Sequence, residues 1–199
     1  MQPKRQLLFV QGGGKGTHDD WDSKLVENLR THLGQDYEIH YPRMPSEDDP
    51  SYASWKTTLQ SVFDTLREGA IVVGHSVGGT ILLKTLTEQV STWKFGAIFL
   101  IAAPFVGAGG WSSDDLPFPT DLGARLPRGV PIHFYHGLED QVTPPSHIDL
   151  YARAVPQAHA HRLPGRDHQL NNNLTEVAAA ILALEPRAPG SPSNPRKEG

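Results

Sequence analysis

The residues best suited to chemistry form the run Gly74-His75-Ser76-Val77-Gly78, a G-x-S-x-G pattern. The apolar run Ala70–Val73 ends at Gly74, and Thr80-Ile81-Leu82-Leu83-Lys84 reads as helix, so the pattern predicts a strand, a sharp turn carrying Ser76, and a helix. The glycines have a mechanical role. A nucleophile on so tight a turn sits in a strained backbone, and side chains at 74 and 78 would collide with the neighbouring strand or helix. A serine hydroxyl is nearly inert at neutral pH, so it needs a base within hydrogen-bond reach and a third group to orient that base.

Both are available downstream. His136-Gly137-Leu138-Glu139-Asp140-Gln141-Val142-Thr143-Pro144 puts two carboxylates just past a strand, and Asp140 is taken as the orienting group with Glu139 as its competitor. His168, in Leu163-Pro164-Gly165-Arg166-Asp167-His168-Gln169-Leu170, is the base. This gives the order Ser, Asp, His at the C-terminal ends of strands, where open α/β sheets put their ligands. His159 and His161 are weaker rivals, because they lie inside a strand and point to one sheet face. The turn Gln11-Gly12-Gly13-Gly14-Lys15-Gly16-Thr17 looks like a phosphate loop, but Lys15 is followed by Gly16 instead of Ser or Thr, and Thr17 stands where a dinucleotide fingerprint needs its third glycine. Its unobstructed N–H groups suit an oxyanion instead, and Gly13 N–H is paired with Val77 N–H for that role.

The elements that must position these groups follow from periodicity. Runs at Leu7–Val10, Tyr37–Tyr41, Ala70–Val73, Ala97–Ile101, Ile132–Tyr135 and Ala158–Leu163 read as strands. Trp21, Leu25, Leu29 and Leu33, and then Trp55, Leu59, Val62, Phe63 and Leu66, have helical spacing, which makes Trp21 and Trp55 expected core residues. Further helices are expected at Thr80–Gln89, His147–Ala154 and Leu174–Leu184. The nearly continuous apolar strands suit a mainly parallel six-stranded sheet with helices on both faces, in one domain over 1–185. Pro104–Gly129, rich in glycine and proline, is expected to be a short cap or lid-like loop, and Phe105, Trp111 and Phe118 are its candidates for lining a substrate pocket. The tail 186–199 has too little apolar surface to offset its ordering entropy and is expected to be disordered.

Composition narrows the partners. Lys+Arg 18 against Asp+Glu 22 gives a net charge of -4, which argues against nucleic acid as a partner. With 0 Cys, thiolate metal sites, disulfides and cysteine nucleophiles are excluded. The ten histidines include no HExxH, His133 and His136 face opposite sides of a strand, and the acidic runs Asp19-Asp20 and Glu47-Asp48-Asp49 lack calcium-loop spacing and read as helix-start and loop charges, so no metal and no cofactor is expected. The apolar run after Met1–Gln6 is too short for a leader, and no stretch would span a bilayer, so the expectation is a cytoplasmic protein without a membrane partner.

Taken together, Gln11 to Trp21, the turn at Ser76, Ala102-Ala103-Pro104, His136 to Pro144, and His168 resemble an α/β hydrolase. Met44-Pro45, Tyr52-Ala53-Ser54-Trp55 and Asp167-His168-Gln169-Leu170-Asn171-Asn172 are similar to the small serine hydrolases of the YdeN and retinoblastoma-binding-protein-nine group. The resemblance implies a three-layer fold with a minimal cap and esterase-type chemistry on a small-molecule ester or amide, with sites matching at Ser76, Asp140 and His168. A protein-binding member of the fold and an acyltransferase are the alternatives. Two positions depart from the pattern. Gln11 stands where larger hydrolases usually have His, and Asp167 replaces the Gly that commonly precedes the catalytic His, which would put a second negative charge near the imidazole and raise its pKa.

Overall fold

The computed structural model describes residues 3–88 and 93–184. Its six strands, β1 (Arg5–Val10), β2 (Tyr37–His40), β3 (Ile71–His75), β4 (Ala97–Ile101), β5 (Ile132–Gly137) and β6 (His159–Leu163), form one sheet in the order β2-β1-β3-β4-β5-β6. All five pairings are parallel. Helices α1 (Ser23–Leu33), α2 (Tyr52–Phe63), α3 (Ser76–Glu88), α4 (Leu122–Arg125), α5 (His147–Ala154) and α6 (Thr175–Leu182) cover the two faces.

The alternation of side chains along a strand divides the core in two. Leu7 and Phe9 of β1, with Ile71 and Val73 of β3, pack against Leu25 and Leu29 of α1 and Val177 and Ile181 of α6. Leu8, Val10 and Val72 face the other way, onto Trp55 and Leu59 of α2, Ile81 and Leu82 of α3, and Ile148 and Tyr151 of α5. This two-sided burial is why the central strands read as unbroken apolar runs. The chain leaves β1 toward one edge to make β2, then crosses to the other side of β1 to make β3. The turns after β1 and β3 therefore open side by side at the point where winding reverses, which is where such sheets form a crevice.

Two expectations change. The helix after β3 begins at Ser76, not Thr80, because Gly78 and Gly79, which lower helix propensity, are needed for close packing against Gln11 and Gly74. Trp21 is 52% exposed under Lys24 instead of being in the core. Residues Thr17–Asp22 form a π-helical turn, whose extra residue rotates Trp21 outward and Asp22 inward, to complete burial. Between 104 and 129 the chain makes only α4 and loops, pinned by Trp111 N–H to Phe105 O at 2.9 Å, Phe118 N–H to Val106 O at 3.1 Å and Lys84 Nζ to Pro117 O at 3.0 Å. The tail 186–199 and Gln89 lie outside the described residues. Among the described residues no helix is long and apolar enough to cross a membrane.

At Gly78 a Cβ would fall on the carbonyl oxygen of Gln11. Gly78→Ala is expected to cost about 1–3 kcal/mol through forced separation of α3 from the β1 turn, read as a lowered urea midpoint with an unchanged slope.

Candidate active site

Ser76 is the hinge between β3 and α3 and has φ 52, in the left-handed region that a serine adopts only at a cost of roughly 1–3 kcal/mol. That conformation turns its hydroxyl out of the strand, 3.0 Å from His168 Nε2. His168 Nδ1 is 2.8 Å from Asp140 Oδ2. Asp140 is buried, and its Oδ1 accepts the N–H groups of Val142 and Thr143, both at 2.8 Å. His136 Nε2 stands 3.2 Å from Asp140 Oδ2 and 2.9 Å from Thr143 O. Burial opposes ionisation of Asp140, but the hydrogen bonds from His136 and His168 outweigh it and hold its carboxyl far below the usual range. Glu139 N–H bonds Arg166 O at 3.0 Å, and the Glu139 side chain is exposed, so Asp140 is the carboxylate that reaches the imidazole.

His168 itself sits below the ordinary histidine value. Burial is the largest cause; the Asp140 hydrogen bond opposes it, and the charge of His75 adds to it. The anticipated upward push from Asp167 is absent. Asp167 is exposed, and its carboxylate accepts Asn171 N–H at 2.7 Å, turned into its own loop. That loop is strained, with Leu170, Asn171 and Asn172 all at positive φ, and Arg166 holds it by bonding Leu170 O at 3.0 Å and Asn173 O at 3.3 Å.

The glycine turn is braced from outside. Glu47 accepts Gln11 Nε2 at 2.6 Å, Gly16 N–H at 3.0 Å and His18 N–H at 3.1 Å, while its carbonyl accepts Gly14 N–H at 2.5 Å. Gln11, fully buried, accepts Met44 N–H at its Oε1 at 2.9 Å. Glu47 is thus a clamp and not the loop charge its acidic neighbours suggested. Gly12 N–H is taken by Asp22 at 2.7 Å. Gly13 N–H has no acceptor among the described residues, and Val77 N–H lies in the first turn of α3, where helices leave their N–H groups unpaired. A Cβ on Gly13 would come within 2.8 Å of Val77 Cγ1, so the two residues are neighbours.

Residues 7–192 match the alpha/beta hydrolase family. The chain belongs to that family. No curated protein matches it in sequence. Among solved structures it is similar to the ydeN gene product from B. subtilis, at TM-score 0.68 and 18% identity over 91% of this chain and 98% of that one. It is also similar to a serine hydrolase involved in carbazole degradation, the CarC enzyme, at TM-score 0.70 and 13% identity over 92% and 91%. An esterase domain from a Rhodothermus marinus protein aligns at TM-score 0.62 and 18% identity over 91% and 85%. At such identities the likeness is one of fold.

In this alpha/beta hydrolase the pocket candidates separate. Phe105 and Phe118 pack with Tyr151 at ring distances of 5.1 and 5.8 Å, as part of the core on the α2 and α3 side. Trp111 is 41% exposed, edge-on to His147, whose Nδ1 accepts Phe105 N–H at 2.8 Å. His133, His159 and His161 stack along the β5–β6 edge, with His133 Nδ1 3.1 Å from His161 Nε2, yet no group of three His, Cys, Asp or Glu among the described residues is arranged to hold a metal ion. Sequence reasoning missed Asp22 and His75, which face each other behind Ser76. The signal was there: a histidine at the end of an otherwise apolar strand needs a buried partner.

In an NMR titration of the ring resonances, His168 is expected to titrate below 6.5, with its resting proton on Nδ1. A midpoint above that value would contradict the balance of burial over Asp140.

Proposed function

We propose that this protein is a serine hydrolase that cleaves carboxylic esters through Ser76, His168 and Asp140, on a small-molecule substrate. The observation that carries the reading is the unbroken line from Ser76 Oγ to His168 Nε2 at 3.0 Å and from His168 Nδ1 to Asp140 at 2.8 Å, with the serine on a left-handed elbow. Membership of the alpha/beta hydrolase family supports it, as does likeness of fold to a serine hydrolase and an esterase domain.

The steps follow from the groups present. His168, neutral and with its lone pair toward the hydroxyl, takes the Ser76 proton as Oγ attacks the ester carbonyl carbon. The carbonyl π pair moves to oxygen, and Gly13 N–H and Val77 N–H accommodate the resulting oxyanion. The tetrahedral species collapses, the C–O bond to the alcohol breaks, and His168 returns its proton to the leaving alkoxide. Water, deprotonated by the same imidazole, then attacks the acyl-enzyme, and collapse restores Ser76 and releases the acid. Asp140 keeps the Nδ1 proton in place and stabilises the transient imidazolium. Trp111, exposed beside the buried His147, is the aromatic surface on offer to the apolar part of a substrate.

On a simple aryl ester, Ser76→Ala is expected to reduce kcat/KM by more than about a thousandfold, and retained turnover would refute the reading. Because burial lowers the His168 pKa, the base stays neutral further into acid than an ordinary histidine, so the midpoint of the acid limb of kcat/KM should lie below 6.5. Glu47→Ala should lower kcat about ten- to a hundredfold with little change in KM, by loosening the turn that bears Gly13; steady-state kinetics on the same ester read both parameters.

A further inference from the structure

Behind the nucleophile, His75 has an acceptor at each ring nitrogen. Its Nδ1 is 3.0 Å from Asp22 Oδ2 and 2.9 Å from Oδ1, and its Nε2 is 3.1 Å from the carbonyl oxygen of His168. Asp22 also accepts Gly12 N–H at 2.7 Å and Gln169 Nε2–H at 3.2 Å, so it is used as a carboxylate throughout. A carbonyl oxygen has only lone pairs to offer. A neutral imidazole could satisfy one of these partners but would turn its own lone pair on the other. The side chains are 1% and 0% exposed, which cuts them off from bulk solvent.

We propose that His75 is held as an imidazolium paired with Asp22, and that this buried ion pair is a positioning device tying the His168 main chain and the Gly12 turn to one another beneath Ser76. Four elements meet there: the π-helical turn through Asp22, the β1 turn through Gly12, the end of β3 through His75, and the loop of His168 and Gln169. The charged and titratable groups facing His75 are Asp22, the His168 ring at 5.0 Å between centroids, and the more distant Asp140. Burial opposes the charge on His75, while the charge and hydrogen bond of Asp22, the His168 carbonyl and Asp140 outweigh it and raise its pKa.

The contrast with His168 is chemical. The Nε2 of His168 faces a hydroxyl, which can donate, so one ring proton on Nδ1 satisfies both of its partners. Two adjacent histidines therefore hold different charge states, and the permanent cation at His75 disfavours a second cation at His168, keeping the base free. The catalytic part of this inference rests on the hydrolase reading above; the charge state does not.

The deciding measurement is nitrogen NMR of the histidine rings in the full-length wild type at about pH 8, above the ordinary histidine range, with His75 assigned through its backbone. Both nitrogens of His75 are expected to carry protons while Nε2 of His168 is bare. A bare nitrogen on His75 would overturn the proposal, whatever the activity. The double variant Asp22→Asn with His75→Gln removes both charges and retains amide donors. Its acid limb in kcat/KM is expected to move up by a fraction of a pH unit, since the lost cation lies between His168 and the lost carboxylate and so acts on His168 more strongly, with kcat falling more than KM rises. An unmoved limb in a folded double variant would overturn the electrostatic role. If the variant does not fold, the wild-type ring protonation still decides the charge state. If the wild type turns over no ester, the catalytic part falls with the hydrolase reading, and the NMR result stands alone.

Discussion

The structure depends on the approach of α3 to the turn after β1, where Gly78 lies against the carbonyl of Gln11 with no room for a methyl group. That contact brings the nucleophile elbow to the glycine turn, and with it Ser76 and Val77 to Gly13. A parallel sheet whose winding reverses between β1 and β3 opens both turns at the same end. Everything else at the site keeps this junction in register. Glu47, from the loop after β2, braces the glycine turn through Gln11, and Asp22 grips Gly12 from the far side. The strained backbone at Ser76 survives because packing on both sides leaves it no alternative.

The electrostatics follow from which acceptors each imidazole meets. His168 has a carboxylate and a hydroxyl, His136 has a carboxylate and a carbonyl on one nitrogen, and His75 has a carboxylate and a carbonyl on opposite nitrogens. Two buried carboxylates stand within this cluster, Asp22 against His75 and Asp140 between His136 and His168, and each accepts backbone N–H. Such pairs are expensive to desolvate and gain little stability over an apolar core. Their presence at one end of the sheet, among strands otherwise filled by Leu, Val, Ile and Phe, marks a site built for charge.

Much of this arrangement was legible in the sequence, because strong local signals carried it. Unbroken apolar runs announced the central buried strands, and Ser76 stood just past one of them, while Asp140 and His168 followed the more mixed runs of β5 and β6. What stayed hidden depended on geometry that periodicity does not encode. The helical spacing of Trp21 with Leu25 and Leu29 concealed a π-helical turn that sends the tryptophan outward and Asp22 inward. Glu47 was indistinguishable from a solvated acidic loop until folding brought it to Gln11, 36 residues away in sequence. Asp167 looked poised to perturb its neighbour, yet the strained turn through Leu170 and Asn172 directs its carboxylate to Asn171. Phe105 and Phe118 read as pocket residues from their loop, but the loop folds back and seats them on Tyr151.

The central claim is that Ser76 is an activated nucleophile, and its most direct test is intact-protein mass spectrometry after exposure to a fluorophosphonate, with the adduct mapped by peptide. The account predicts a single adduct on Ser76 that forms with displacement of fluoride and is lost when His168 is replaced by alanine. A folded wild-type protein that acquires no adduct, or acquires it equally without His168, would contradict it.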